Sequence, residues 1–135
     1  MAGALRVSEA AALAIHTALI LSGRPDRWVT AGELAQELHA SRAHLAKVLQ
    51  RMGKAGLVGS VRGTNGGFKL AARGEAVTLL EVYEAIEGKL EPPACMLSRP
   101  ICTGTECALG GLMTRLNQEL RDHLERVKLS ELLQA

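Results

Sequence analysis

The chain has 135 residues, a formal net charge of +2 and 47% hydrophobic residues. That length favours one domain plus an extra element, and the apolar share excludes wholesale disorder. Its only aromatics are Trp28, Phe68 and Tyr83, which leaves Leu, Ala and Val to build the core and excludes a platform that stacks single-stranded bases.

Ser8 reads as the N-cap of a first helix, whose apolar residues are Ala11, Leu13, Ala14, Ile15, Ala18, Leu19, Ile20 and Leu21. Ser22-Gly23 and Pro25 end it. A helix apolar on most faces belongs in a core or an interface. Glu9 and His16 interrupt it, no charged n-region precedes it, and no apolar run reaches the roughly 18–20 residues of a membrane span. The expectation is therefore a cytoplasmic protein with no membrane partner. Its cysteines are then reduced, and suited to metal or redox chemistry more than to a structural disulfide.

Thr30 and Glu33 form a predicted capping box that opens a short helix, Ala31 to His39. Ser41 caps the next, from Arg42 to about Ala55, with Leu45, Val48, Leu49 and Met52 at helical spacing. Leu57 to Val61 reads as a strand, 62–67 as a turn and Phe68 to Leu70 as the return strand. Asn65-Gly66 is the hairpin signal, because both residues tolerate positive φ. Helix, turn, second helix with a polar outer face, then hairpin is the order of a winged helix-turn-helix.

Charge supports the same reading. Ser41 to Glu75 contains Arg42, Lys47, Arg51, Lys54, Arg62, Lys69 and Arg73 against the single acid Glu75, a local basic footprint on a nearly neutral chain. Ser41, Arg42 and His44 begin the second helix, where base-edge contacts are expected. Lys47, one turn on, is suited to phosphate. Arg62, Thr64 and Asn65 on the glycine-rich hairpin complete a candidate interface with double-stranded DNA. The plainer reading of any single cation is a solvated surface. Arg62 is the exception, since a long cation at a hairpin tip has nothing to pack on.

Thr78 and Glu81 form a second capping box, for a helix with Leu79, Leu80, Val82, Tyr83 and Ile86, closed by Gly88. Pro92-Pro93 breaks the chain, and the following loop holds the only three cysteines, Cys95, Cys102 and Cys107. A last helix is predicted from Leu109 to Val127. Leu109, Met113, Leu116, Leu120, His123 and Val127 step by fours and threes, a coiled-coil-like seam too long for so small a domain to cover. It implies a homodimer, with the final piece, Ser130 to Leu133, capping the neighbouring domain. The fold expected is mainly α with a small β-hairpin wing. It divides into a winged helix-turn-helix over 1–90, a cysteine loop over 91–107 and a dimerisation helix with C-terminal segment over 108–135.

Cysteines clustered in a loop rich in Pro, Ser, Thr and Gly are poor core material. Thiolates suit iron–sulfur clusters, zinc or Cu(I), and simple thiol oxidation is a further reading. Structural zinc prefers four closed Cys/His ligands, and the loop holds no His. An enzyme with a nucleophilic cysteine is disfavoured: there is no C-x-x-C, and no His neighbours a Cys in sequence.

The stretch LHASRAHLAKVLQRMGKAGLVGSVRGTNGGFKL (Leu38 to Leu70), the TLLEVYEAIEG helix and the three-cysteine loop resemble the Rrf2 family of transcription regulators. GLVGSVRGTNGGFKLA is the most specific part, and the resemblance covers nearly the whole chain. It implies a homodimeric winged-helix regulator of a DNA operator. In many members an iron–sulfur cluster ([2Fe-2S] or [4Fe-4S]) on three loop cysteines and one other ligand senses redox state, nitric oxide or cluster supply. Other members lack the cluster and respond through cysteine oxidation, small molecules or protein effectors. Cys95, Cys102 and Cys107 match the cysteine positions. Some members place a His three residues after the last cysteine, where Gly110 stands here; others use a carboxylate of the partner's first helix, where Ala12 stands. A third arrangement uses a His one turn further along, and His16 matches it. Glu9, Glu106, an external thiol or water are alternatives, and the plainer reading of His16 is a core or interface histidine.

Overall fold

A computed structural model describes residues 7–91, 95, 97, 99, 101, 102 and 107–132. Helix α1 spans Glu9–Ser22, and the Ser8 side chain accepts the Ala11 N–H as its cap. The Ser8 hydroxyl also donates to Glu87, so one residue both starts this helix and ties it to the end of a later one. Ala11, Leu13, Ala14, Thr17, Ala18 and Leu21 are buried while His16 is exposed. One side of α1 is therefore left outside the core.

Helix α2 spans Ala31–Leu38, and Thr30 accepts from the Glu33 N–H at 3.1 Å. The predicted capping box closes only halfway, because the Glu33 carboxylate pairs with Arg27. His39 takes the left-handed conformation (φ 52°, ψ 40°) that lets the chain turn within two residues into α3, Arg42–Lys54. Leu45, Val48, Leu49 and Met52 are buried and seat α3 on α1 and α2. A side chain such as Leu45, fully enclosed, is worth roughly 1.5–3 kcal/mol of burial.

Strands β1 (Val58–Val61) and β2 (Gly67–Leu70) pair antiparallel, with Val58 opposite Leu70 and Val61 opposite Gly67. The hairpin is real, but its turn differs from the one expected at Asn65-Gly66. Positive φ falls on Gly63 (114°) and Gly67 (146°), not on Asn65 or Gly66, and the Gly66 N–H closes the turn on the Gly63 carbonyl at 3.1 Å. Gly66 is required for space instead: a Cβ there would stand 2.0 Å from the Val61 carbonyl oxygen. A third rung comes from Val29, whose N–H and C=O both bond Phe68, at 3.0 and 2.7 Å. It anchors the wing to the segment before α2, and the sequence reading missed it.

A 3₁₀ turn, Gly74–Ala76, leads to α4, Leu79–Glu87, whose capping box forms in both directions. Helix α5, Gly110–Arg126, has no side-chain cap and buries only Asn117 and Leu124. Of the seam, Leu109 is 48% exposed, Met113, Leu116, Leu120 and Val127 are half-buried, and His123 is exposed. Helix α6, Leu129–Leu132, packs on α1 and the 3₁₀ turn of its own chain, and so caps the winged part of the chain that precedes it. Leu129 is fully buried, and its N–H bonds the Val77 carbonyl at 3.1 Å. Leu133 lies outside the described residues. Among the described residues no helix is long and apolar enough to cross a membrane.

Candidate nucleic-acid interface and cysteine loop

Burying the apolar stripe of α3 forces its other side outward. Ser41, Arg42 and Lys47 are exposed and His44 is half-buried. The Ser41 hydroxyl is engaged as the helix cap, accepting the His44 N–H at 3.1 Å. The Arg42 guanidinium lies over the first turn of α2, where a Cβ on Gly32 would stand 3.7 Å from its Cζ. Arg62, Thr64 and Asn65 are all exposed on the wing.

The seven cations of the basic footprint divide into two groups. Arg51 donates to the Ile86 carbonyl at 2.6 Å, Lys69 sits 4.7 Å from the centre of the Trp28 ring, and Arg73 faces Glu75 at 3.8 Å. Arg42, Lys47, Lys54 and Arg62 carry no such partner among the described residues. Sequence alone did not separate the groups. Trp28 and Lys69 meet only because the Val29–Phe68 bridge aligns their strands. The reach of Arg51 to α4 depends on a residue 35 positions away. The unpartnered cations cluster at the start of α3, at its end and on the wing, which leaves their charge available to phosphate.

The cysteines are unpaired, with Cys95 half-buried and Cys102 and Cys107 exposed. Cys107 lies against the start of α5: a Cβ on Gly110 would stand 3.0 Å from its Cβ. Among the described residues no three Cys, His, Asp or Glu side chains gather closely enough to hold a metal ion. Of the plainer reading of His16, a core or interface histidine, the single chain removes only the core. His16 is exposed, and its Nδ1–H donates to the Ala12 carbonyl at 2.7 Å. That bond occupies Nδ1 and leaves Nε2 outside it, the kind of backbone hydrogen bond that orients a metal-ligating imidazole. Glu106 lies outside the described residues.

Helix-turn-helix, wing and exposed cations on α3 define a winged helix-turn-helix protein of the nucleic-acid-binding class. Comparison with known proteins agrees. The profile of the Rrf2 family, described as an iron-dependent transcriptional regulator, matches residues 7–135. The chain belongs to the Rrf2 family of DNA-binding transcription regulators. It is 37% identical over 83 residues to BadM of Rhodopseudomonas palustris, covering 62% of this chain and 53% of that protein. It is 28% identical over 105 residues to the HTH-type transcriptional regulator IscR of Vibrio campbellii, covering 78% of this chain and 62% of that one. The match thus spans between half and two thirds of these relatives. Such relatives are regulators, not enzymes. Among solved structures, CymR, the global cysteine regulator of B. subtilis, superposes with a TM-score of 0.81 at 22% identity, over 95% of each chain. T. potens IscR gives 0.79 at 21% identity, over 96% of this chain and 87% of that one. At these identities the likeness is one of fold.

Proposed function

We propose that this chain acts as a homodimer that binds a duplex DNA operator through α3 and the wing, under control of an iron–sulfur cluster on the cysteine loop. The observation that carries the DNA reading is the division of the cations. Arg51 and Lys69 are engaged at the helix flank and the base of the wing, whereas Arg42, Lys47 and Arg62, which have no such partner among the described residues, lie where a winged helix meets DNA. Ser41, Arg42 and His44 address base edges, Lys47 addresses phosphate, and Arg62 with Thr64 and Asn65 addresses the adjoining groove. Arg62→Ala is expected to weaken duplex binding about tenfold or more, roughly 1.4 kcal/mol, and to make binding less steeply dependent on salt. Fluorescence anisotropy on a duplex selected from a random pool reads both. Unchanged affinity with the fold intact removes Arg62 from the interface.

Three unpaired thiols fit an iron–sulfur cluster in donor chemistry and fall one ligand short of the usual four. Cys95, Cys102 and Cys107 would hold it, and His16 supports the reading as the fourth ligand, donated by the partner subunit. When bound, the cluster supplies redox and nitric oxide sensitivity. The protein's own contribution is to tie both subunits to one group, so that its loss frees the loop. Oxygen-free purification followed by iron, sulfide and absorbance measurements is expected to show a chromophore that Cys102→Ala abolishes and His16→Ala alters. An unaltered spectrum and lifetime in His16→Ala ends the His16 assignment. Wild-type protein that lacks iron and sulfide and cannot be reconstituted ends the cluster reading, and thiol oxidation then takes its place.

A further inference from the structure

Helix α4 ends in an unusual exchange of partners. In a continuing helix the Leu90 N–H would bond the Ile86 carbonyl. Gly88, at φ 82°, takes the chain out of the helix, and each half of that pair finds a charged side chain instead. The Leu90 N–H donates to Glu84 Oε2 at 2.8 Å. The Ile86 carbonyl accepts from Arg51 Nη2 at 2.6 Å. Arg121 of α5 then reaches back and donates to the same Glu84 oxygen at 3.5 Å and to the Leu90 carbonyl at 3.4 Å. The Leu90 residue, 5% exposed, is thus held at its N–H by α4 and at its carbonyl by α5.

The position of this clamp gives it meaning. Leu90 lies five residues before Cys95, and α5 begins three residues after Cys107. The residue that leads into the cysteine loop and Arg121, in the middle of the helix that follows it, therefore meet at Glu84. Glu84 lies two residues from Ile86, whose carbonyl is held by a side chain of α3, the helix whose first turn faces DNA. A carbonyl orphaned at a helix C-terminus needs a donor, and a charge-assisted donor is among the strongest available. Displacing Leu90 would disturb the last turn of α4 and with it the seat of Arg51.

We propose that Arg51, Glu84 and Arg121 form a polar relay that couples the state of the cysteine loop to the orientation of α3, Arg51 being a positioning residue rather than a DNA contact. This rests on the reading of α3 as the DNA-facing helix but not on the identity of what the cysteines bind. Coupling is reciprocal, so DNA on α3 must change the loop. The loop carries every cysteine of the chain, which makes thiol alkylation a local reporter.

The test measures N-ethylmaleimide labelling rates of the full-length reduced protein with and without saturating selected duplex. Wild type is expected to show a change of about fivefold or more, the lower end of ordinary coupling. Arg51→Met, which keeps the aliphatic stem, and Arg121→Met are each expected to bring the ratio towards one while still binding duplex. A merely structural role for Arg51 would lower the melting temperature and leave the ratio in place. A wild-type ratio of one, or an unchanged ratio in both variants at saturating duplex, overturns the relay. Absence of wild-type binding to any duplex defeats the relay together with the DNA reading. Absence of iron and sulfide with the ratio intact removes only the cluster and supports the relay.

Discussion

Helices α1 and α5 are the two long helices of the chain, and they are held in opposite ways. Of the 14 residues of α1, six are buried, and Ser8 anchors its start both to its own backbone and to Glu87. Of the 17 residues of α5, two are buried, its first turn has no side-chain cap, and Leu109 and Leu112 remain 48% and 44% exposed. Each helix also buries one polar atom, Thr17 Oγ1 on α1 and Asn117 Nδ2 on α5, that has no hydrogen-bond partner among the described residues. Isolated helices of this length are marginal in water. The difference teaches that α1 is stabilised within its own fold, whereas the apolar seam of α5 is covered only in part by its own chain.

The sharpest way to break this comparison is to charge the seam. Leu116→Asp together with Leu120→Asp is expected to yield a monomer or an insoluble chain, read by sedimentation velocity. Wild-type protein that sediments as a monomer at micromolar concentration would show that the seam needs no partner. Next in size is truncation within the core. Leu45→Ala, at a fully buried site, is expected to cost about 2–5 kcal/mol in denaturant unfolding, whereas Glu119→Ala, on the exposed side of α5, should stay within about 0.5 kcal/mol. Equal losses at the two sites would erase the distinction between the helices. The smallest effect concerns Thr17. Replacing its hydroxyl with a methyl of the same shape removes a buried polar atom that has no partner. Thr17→Val should therefore be neutral or stabilising by about 1 kcal/mol. A clear loss of melting temperature would reveal a partner for that hydroxyl.

Much of the fold was legible because its signals are local. Ser8, Thr30, Ser41 and Thr78 each cap the helix expected of them, since a cap needs only a side-chain oxygen and a backbone N–H three residues on. The apolar stripe of α3 has a period that any helix imposes. The hairpin was placed correctly but for the wrong reason: Asn65-Gly66 marks it, while Gly63 and Gly67 supply the left-handed geometry. Turn type depends on how two strands meet, and Gly66 is needed because the Val61 carbonyl crowds it. The Val29 bridge escaped notice because a single rung leaves no alternation to detect. For the same reason nothing forecast that Trp28 would hold Lys69.

By itself the sequence determined the order of helices, the hairpin, the basic stretch and the confinement of every cysteine to one loop. All of these follow from spacing along a few residues or from counting. Tertiary structure alone decided which cations have a partner, that His16 faces outward with one ring nitrogen already bonded, and that α6 packs on α1 and the 3₁₀ turn. It also decided that Leu90 is clamped between two helices. A long side chain such as Arg51 or Arg121 carries the same charge wherever it stands. Its role is set by the first acceptor within reach, and that acceptor is brought there by residues far away in the chain.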